Sequence, residues 1–228
     1  MSGSADKPRV HPIRTRVRQR LWDAHSSGWD QIRSEPANQA QMTAVLEDFA
    51  DRLPPGGTVV DVGCGTGQHA VGLALRGFHV IAIDYAPAML ARARTHARAQ
   101  SATIEFREFD LNEYLPFAAE TLDGALCVSV IQVIDQPTRL LGQLREALRP
   151  GCHVLIESVR YLGALSRGDH LGARDRIING AKKLAAKVPG AVKQYQLDDV
   201  TELFLSVGLE VTATHVYEQT FTATARRT

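Results

Sequence analysis

From Thr58 to Glu157 the chain alternates short apolar runs with amphipathic stretches, and this rhythm constrains the fold more than any other feature. Thr58 to Val62 reads as a strand, Gln68 to Arg76 as a helix stopped by Gly77, and Phe78 to Ile83 as a second strand. Pro87 to Gln100 is a helix opened by proline in its first turn. Thr103 to Glu108, Leu122 to Ser129 and His153 to Glu157 add three strands, and Pro137 to Leu148 a helix closed by Pro150-Gly151. Repeated strand–helix units imply a parallel sheet covered on both faces, with right-handed crossovers. After a helix over Asp198 to Val207, Leu209 to Val216 and Gln219 to Arg226 read as a closing antiparallel hairpin.

Two segments stand outside this rhythm. Residues 10–53 are expected to form an N-terminal helical lid, with Met42, Val45, Leu46, Phe49 and Leu53 on one helix face, ended by Pro54-Pro55-Gly56-Gly57. Residues 158–196 carry eight Lys/Arg against Asp169 and Asp175 and read as a basic lid insertion rather than a second domain. The core is then 54–157 with 197–228, and the whole of 1–228 is one domain, in keeping with 44% apolar and 22% charged residues.

The net charge of +1 supplies no general attraction to nucleic acid or membrane. No apolar run approaches the roughly 20 residues that span a bilayer, and the first ten residues lack the apolar core of a signal peptide. Cys64, Cys127 and Cys152 form no Cys-x-x-Cys and read as packing residues of a reducing compartment, so the expected location is the cytoplasm. The eight histidines show no ligand spacing, and no metal is expected.

The chemistry sits in V-V-D-V-G-C-G-T-G, residues 59–67, followed by Gln68 and His69. A nucleoside-triphosphate loop would end in Gly-Lys-Ser/Thr, and here no lysine follows Gly67. A dinucleotide loop would carry its third glycine at position 68, which is glutamine. Asp61 stands just before the glycines, awkward beside a pyrophosphate but favourable beside an ammonium or sulfonium. Asp84 ends the second strand 21 residues beyond Gly63, suited to two ribose hydroxyls, and Asp110 follows the third strand within reach of an adenine amino group. Three acids on the carboxyl edge of one parallel sheet, with a helix N-terminus for a carboxylate, favour S-adenosylmethionine.

On these residues the chain resembles the class I S-adenosylmethionine-dependent methyltransferases of the small-molecule type, the group that includes ubiquinone- and menaquinone-pathway enzymes. "VVDVGCGTG" resembles the family's first motif, "VIAIDYAPAML" its second and "FREFDLNEYLPF" its third. "LDGALCVSVIQVIDQP" and "LREALRPGCHVLIES" are similar to its fourth- and fifth-strand segments, so the likeness runs from about Trp22 to Arg227. It implies an α/β, Rossmann-like, seven-stranded, mostly parallel sheet of order 3-2-1-4-5-7-6, the last strand antiparallel, with helices on both faces. It also implies that Gly63, Gly65, Asp84, Asp110 and Leu111 hold the cofactor, with Tyr85 and Met89 beside ribose and adenine. Asp61, Cys64, Gly67, Ser129 and Trp29 complete the expected cofactor set, and Trp22 and His25 lie near it in the family's layout.

The chain departs from the pattern at Ile131-Gln132-Val133, where many relatives have Leu-His-His, so a histidine base is missing there. Pro150-Gly151-Cys152 replaces Pro-Gly-Gly, and no Asn/Asp-Pro-Pro-Tyr/Phe marks methylation of an amide or adenine amino group. Methyl transfer from a sulfonium needs alignment and dryness more than a base. Candidates for the acceptor side are His25, Gln132, Arg160, Tyr161, His170 and Tyr195. A basic lid favours an anionic small-molecule acceptor, acted on by a monomer or homodimer. Two other readings stay open: an RNA or protein methyltransferase using the basic arms, and an enzyme that consumes S-adenosylmethionine without donating its methyl.

Overall fold

The computed structural model describes residues 19, 20, 22, 23, 30, 34–159, 193–218 and 220–228. Seven strands form one sheet: β1 (Thr58–Val62), β2 (His79–Asp84), β3 (Ile104–Glu108), β4 (Leu122–Val128), β5 (Leu148–Val159), β6 (Leu209–Val216) and β7 (Thr220–Arg227). Their order is β3-β2-β1-β4-β5-β7-β6, as the motifs imply. Neighbours from β3 to β5 are parallel, and β7 runs antiparallel to both β5 and β6.

Among the described residues, five helices cover the sheet: α1 (Pro36–Ala50), α2 (Gln68–Ala74), α3 (Pro87–Ala99), α4 (Pro137–Ala147) and α5 (Leu197–Ser206). Proline opens α1, α3 and α4, where its missing N–H costs nothing and its φ suits the first turn. Successive strand residues face opposite sides. Val59 therefore joins the layer of Leu46, Phe49 and Leu73, while Val60 and Val62 join that of Leu140, Leu144 and Phe204.

Within the 10–53 segment, helix α1 packs its apolar face into this core. Val45, Leu46, Phe49 and Leu53 are buried. A Cβ on Gly72 of α2 would lie 2.5 Å from Leu46 Cδ1, and one on Gly124 of β4 would lie 2.6 Å from Leu53 Cδ2. The helix sits this close because both glycines leave it room.

Strand β5 differs, starting five residues before the expected His153. Leu148, the residue after α4, is already extended (φ −69°, ψ 142°) and pairs with Leu122. Pro150-Gly151 is therefore not a terminator. The register shifts between Leu122 and Gly124, and Gly151 adopts a φ of +83° within the strand. Among the described residues no helix is long and apolar enough to cross a membrane, and no cluster of potential metal ligands is found.

Candidate functional site

The carboxyl ends of β1 to β4 open into one cavity of about 970 Å³, its mouth included. Its floor is the loop between β1 and α2. Gly63 N and Cys64 N both donate to Ile83 O of β2, at 2.8 and 3.0 Å, and Gly67 N closes the turn onto Cys64 O at 2.9 Å. Gly63, Gly65 and Gly67 all have φ between +54° and +80°, a region costly for side-chain-bearing residues.

The three glycines do different work. A Cβ on Gly63 would fall 2.3 Å from Val130 Cγ2, so this glycine lets the wall after β4 close on the loop. A Cβ on Gly67 would fall 2.8 Å from that of Ala93, so this one lets α3 pack against the loop. A Cβ on Gly65 meets no protein atom within 4 Å, although Gly65 lines the cavity: here the bare backbone faces ligand space. Gly67 is not among the lining residues, and its missing side chain makes room for α3.

Asp84 is the electrostatic centre. Its Oδ2 accepts from Gly65 N and its Oδ1 from Ala86 N, each at 2.9 Å. A carboxylate offers about four acceptor directions, so these two bonds orient it and still leave capacity for a pair of hydroxyl donors. Burial raises its pKa from the ordinary carboxylate value, opposed by the N–H groups of Ala86, Gly65 and Tyr85. Asp61 lines the same cavity and is buried at the end of β1. Cys64 sits between the two acids. Burial, and then Asp61 and Asp84, push its thiol well above the usual range, so it remains protonated and unreactive.

The walls come from the next two loops. Tyr85 and Met89 follow β2, Asp110 and Leu111 follow β3, and all four line the cavity. Asn112 donates to Asp110 Oδ1 through its backbone N (2.9 Å) and its Nδ2 (3.1 Å). Beyond β4 the lining turns apolar, with Val128, Val130, Val133 and Ile134. Ser129 lies among them with a left-handed backbone (φ +57°), its N–H bonded to Glu157 O at 2.8 Å.

Trp22 closes part of the mouth, and its neighbours fasten it there. Gln19 Nε2 donates to Tyr85 O at 2.9 Å, and Asp23 Oδ1 accepts from Ala88 N at 3.0 Å. Helix α3 has no side-chain cap of its own, so Asp23 supplies one from 65 residues away. Asp30 pairs with Arg92 at 2.6 Å.

Of the expected acceptor-side residues, Gln132 and Tyr195 are described, and neither is among the lining residues. Gln132 lies in a 3₁₀ turn over Ile131–Val133, with Oε1 accepting from Ser158 Oγ at 3.4 Å. The turn carries its side chain towards Ser158 of β5. Tyr195 packs against the core face under α4 and α5, and burial followed by Asp199 raises its pKa, so it stays a phenol. His25, Trp29, Arg160, Tyr161 and His170 lie outside the described residues, as does most of the 158–196 insertion.

Several lining residues escaped the sequence reading: Thr66, Gln68, His69, Asn112 and the apolar wall beyond β4. Gln68 and His69 carry a positional signal, as the first turn after the glycine loop. The apolar residues carry none, because a cavity wall and a buried core look alike in sequence.

The donor set can be tested against candidate ligands. Among the described lining residues there is no Lys or Arg, which disfavours a pyrophosphate. Three carboxylates, an open glycine backbone and a helix start suit a ligand with a cationic centre, a ribose and a carboxylate. S-adenosylmethionine fits that description.

The comparisons agree. Residues 59–151 match a family model described as a methyltransferase domain. The chain is 28% identical, over 142 residues, to the ubiquinone biosynthesis O-methyltransferase of Hahella chejuensis, covering 61% of this chain and 56% of that one. The chain thus spans little more than half the length of this curated relative. Among solved structures, magnesium protoporphyrin IX methyltransferase from Synechocystis PCC 6803 superposes with a TM-score of 0.71 at 17% identity, covering 94% of this chain and 100% of that one. The [4+2]-cyclase SpnF also reaches 0.71 at 16% identity, covering 92% of this chain and 94% of that one. At such identities the structural likeness speaks for the fold alone.

Proposed function

We propose that the chain is a class I S-adenosylmethionine-dependent methyltransferase and that it methylates a small molecule with S-adenosylmethionine as donor. The observation that carries the proposal is the Asp84 carboxylate, fixed by two backbone N–H groups beside the open backbone of Gly65. That is an acceptor pair prepared for a vicinal diol, at a floor where no side chain intrudes.

Bound S-adenosylmethionine would supply a methyl group on a positively charged sulfur, displaced in line by the acceptor's lone pair. Asp84 would hold the ribose hydroxyls, Asp110 the adenine amino group, and Asp61 the cationic end. Gly65 and the first turn of α2 would face the carboxylate. Val128, Val130, Val133 and Ile134 would exclude water from the methyl-transfer end, where dryness strengthens every electrostatic contact.

The acceptor is then a small molecule presenting an apolar face to this wall. An oxygen acceptor accords with the likeness to the O-methyltransferase of Hahella chejuensis. An anionic group on the acceptor would suit the basic 158–196 segment, and the cytoplasm would suit three free cysteines. Calorimetry with S-adenosylmethionine and S-adenosylhomocysteine tests the donor. Incubation with candidate acceptors, read by mass spectrometry, tests the reaction. Methylation yields S-adenosylhomocysteine and a product heavier by one CH₂. Accumulation of methylthioadenosine in place of S-adenosylhomocysteine would replace methyl transfer by cyclisation of the aminobutyryl chain.

A further inference from the structure

Two loops face each other across the base-binding end of the cavity, one after β3 and one after β4, and a single side chain ties them together. Asn112 Oδ1 accepts from the backbone N of Asp135 at 2.9 Å. A backbone N–H can only donate, so this bond fixes which way the Asn112 amide is turned. The opposite end, Nδ2, must then face Asp110, and it donates to Oδ1 at 3.1 Å alongside the backbone N at 2.9 Å.

The tie is itself anchored. Arg139 of α4 donates through Nη2 to Asn112 O, and its guanidinium lies over the Tyr114 ring, 5.7 Å from the centroid. On the far side, Lys193 Nζ donates to Asp135 O at 3.1 Å, and Lys193 N to Gln132 O at 2.7 Å. Asn112 and Asp110 both line the cavity. The carboxylate of Asp110 is thus oriented by a donor whose own orientation is dictated from the opposite wall.

We propose that Asn112 is a positioning residue that sets the base specificity of the donor site, by holding the Asp110 carboxylate as an acceptor for the 6-amino group of adenine. The inference rests on the donor reading above. An ionised carboxylate accepts from an amino group and repels the 6-oxo group of hypoxanthine. The specificity therefore depends on the orientation of Asp110, which Asn112 controls.

The test compares S-adenosylhomocysteine with S-inosylhomocysteine, its hypoxanthine counterpart, by calorimetry on the whole protein. The wild type is expected to prefer the adenine compound. In Asn112→Ala the adenine compound should weaken about tenfold, the scale of a hydrogen bond to a charged group, with the hypoxanthine compound changing far less. Asn112→Asp keeps an acceptor for the Asp135 N–H but removes the Nδ2 donor that orients Asp110, so the preference should shrink here too. Both compounds are measured on one preparation, so the ratio is insensitive to any loss of folded protein. If both weaken equally in both variants, Asn112 only braces the loop and the proposal is overturned. If the wild type binds neither, the donor reading fails first and takes the proposal with it.

Discussion

The two ends of the cavity are built on opposite plans. At the β1–β3 end three aspartates stand on strand ends and loops whose backbone is bonded at nearly every step. Past β4 the wall is Val128, Val130, Val133 and Ile134, with no titratable side chain among these four. The first end recognises by charge and direction, the second by shape and dryness. A donor common to many enzymes suits the rigid, polar end, and an acceptor particular to one enzyme suits the end that side-chain volume can reshape.

The largest effect should come from the centre of the polar end. Asp84→Ala removes the acceptors for two ribose hydroxyls, and S-adenosylhomocysteine affinity should fall at least about a hundredfold if each such bond is worth roughly 1.5 kcal/mol or more. The same change strands the N–H groups of Gly65 and Ala86, so the melting temperature should also drop. Calorimetry and thermal melts read the two losses separately. An affinity within about threefold of wild type would remove Asp84 from the donor site.

The glycines probe the border between the ends. Gly65→Ala adds a methyl that meets no protein atom within 4 Å, at a φ of +54°, so stability should fall only by the ~1–2 kcal/mol of a left-handed residue. The methyl points into donor space, and affinity should fall about tenfold by overpacking against the ligand. Gly63→Ala inverts this balance. Its methyl would sit 2.3 Å from Val130 Cγ2, so the melting temperature should fall by several degrees as the apolar wall is pushed back. Equal effects from the two variants would mean that the loop responds as one body.

This division also explains how much the chain revealed before its structure. Asp61, Gly63, Gly65, Asp84 and Asp110 all line the cavity, and their place at one sheet edge was legible because acids and glycines at fixed steps from strand ends stand out from apolar packing. The sheet order followed from strand–helix alternation together with the motif resemblance. The difference between Gly67, which admits Ala93 of α3, and Gly65, which faces open space, was not legible, because two glycines of one loop look the same in sequence. The amphipathic face of α1 was legible, but not what it faced, since room for Leu46 and Leu53 depends on Gly72 and Gly124 far along the chain. The apolar wall and the turn that carries Gln132 away depend on tertiary packing, which leaves no local pattern.

Acidity should separate the two ends more gently. Burial raises the pKa of Asp84, so the folded protein takes up this proton at a higher pH than the unfolded chain does. Its contribution to folding is therefore present below the unfolded value and is lost as pH rises through the folded one. Donor binding has the opposite sign, because ribose hydroxyls donate to the ionised form. Affinity should decline by up to about tenfold per pH unit below the Asp84 pKa, starting above the ordinary carboxylate range near about 3.9. Calorimetry from neutral pH downwards checks this, and a flat profile down to the ordinary range would contradict the role of burial.

The smallest effect on the donor should come from the apolar end, and it tests the division most directly. Val133→Ala removes two methyl groups from the wall and touches none of the hydrogen bonds around Asp84 or Asp110. S-adenosylhomocysteine affinity should stay within about twofold, because sites without shared partners behave nearly additively. For the acceptor found by mass-spectrometric screening, kcat/KM should change several-fold, since a lost methylene contact in an apolar pocket is worth roughly 1–3 kcal/mol. The direction depends on fit: a bulky acceptor gains room and a small one loses contact. A donor affinity that shifted as far as the acceptor's would show that the wall after β4 serves both ligands, and the cavity would then be one pocket rather than two halves.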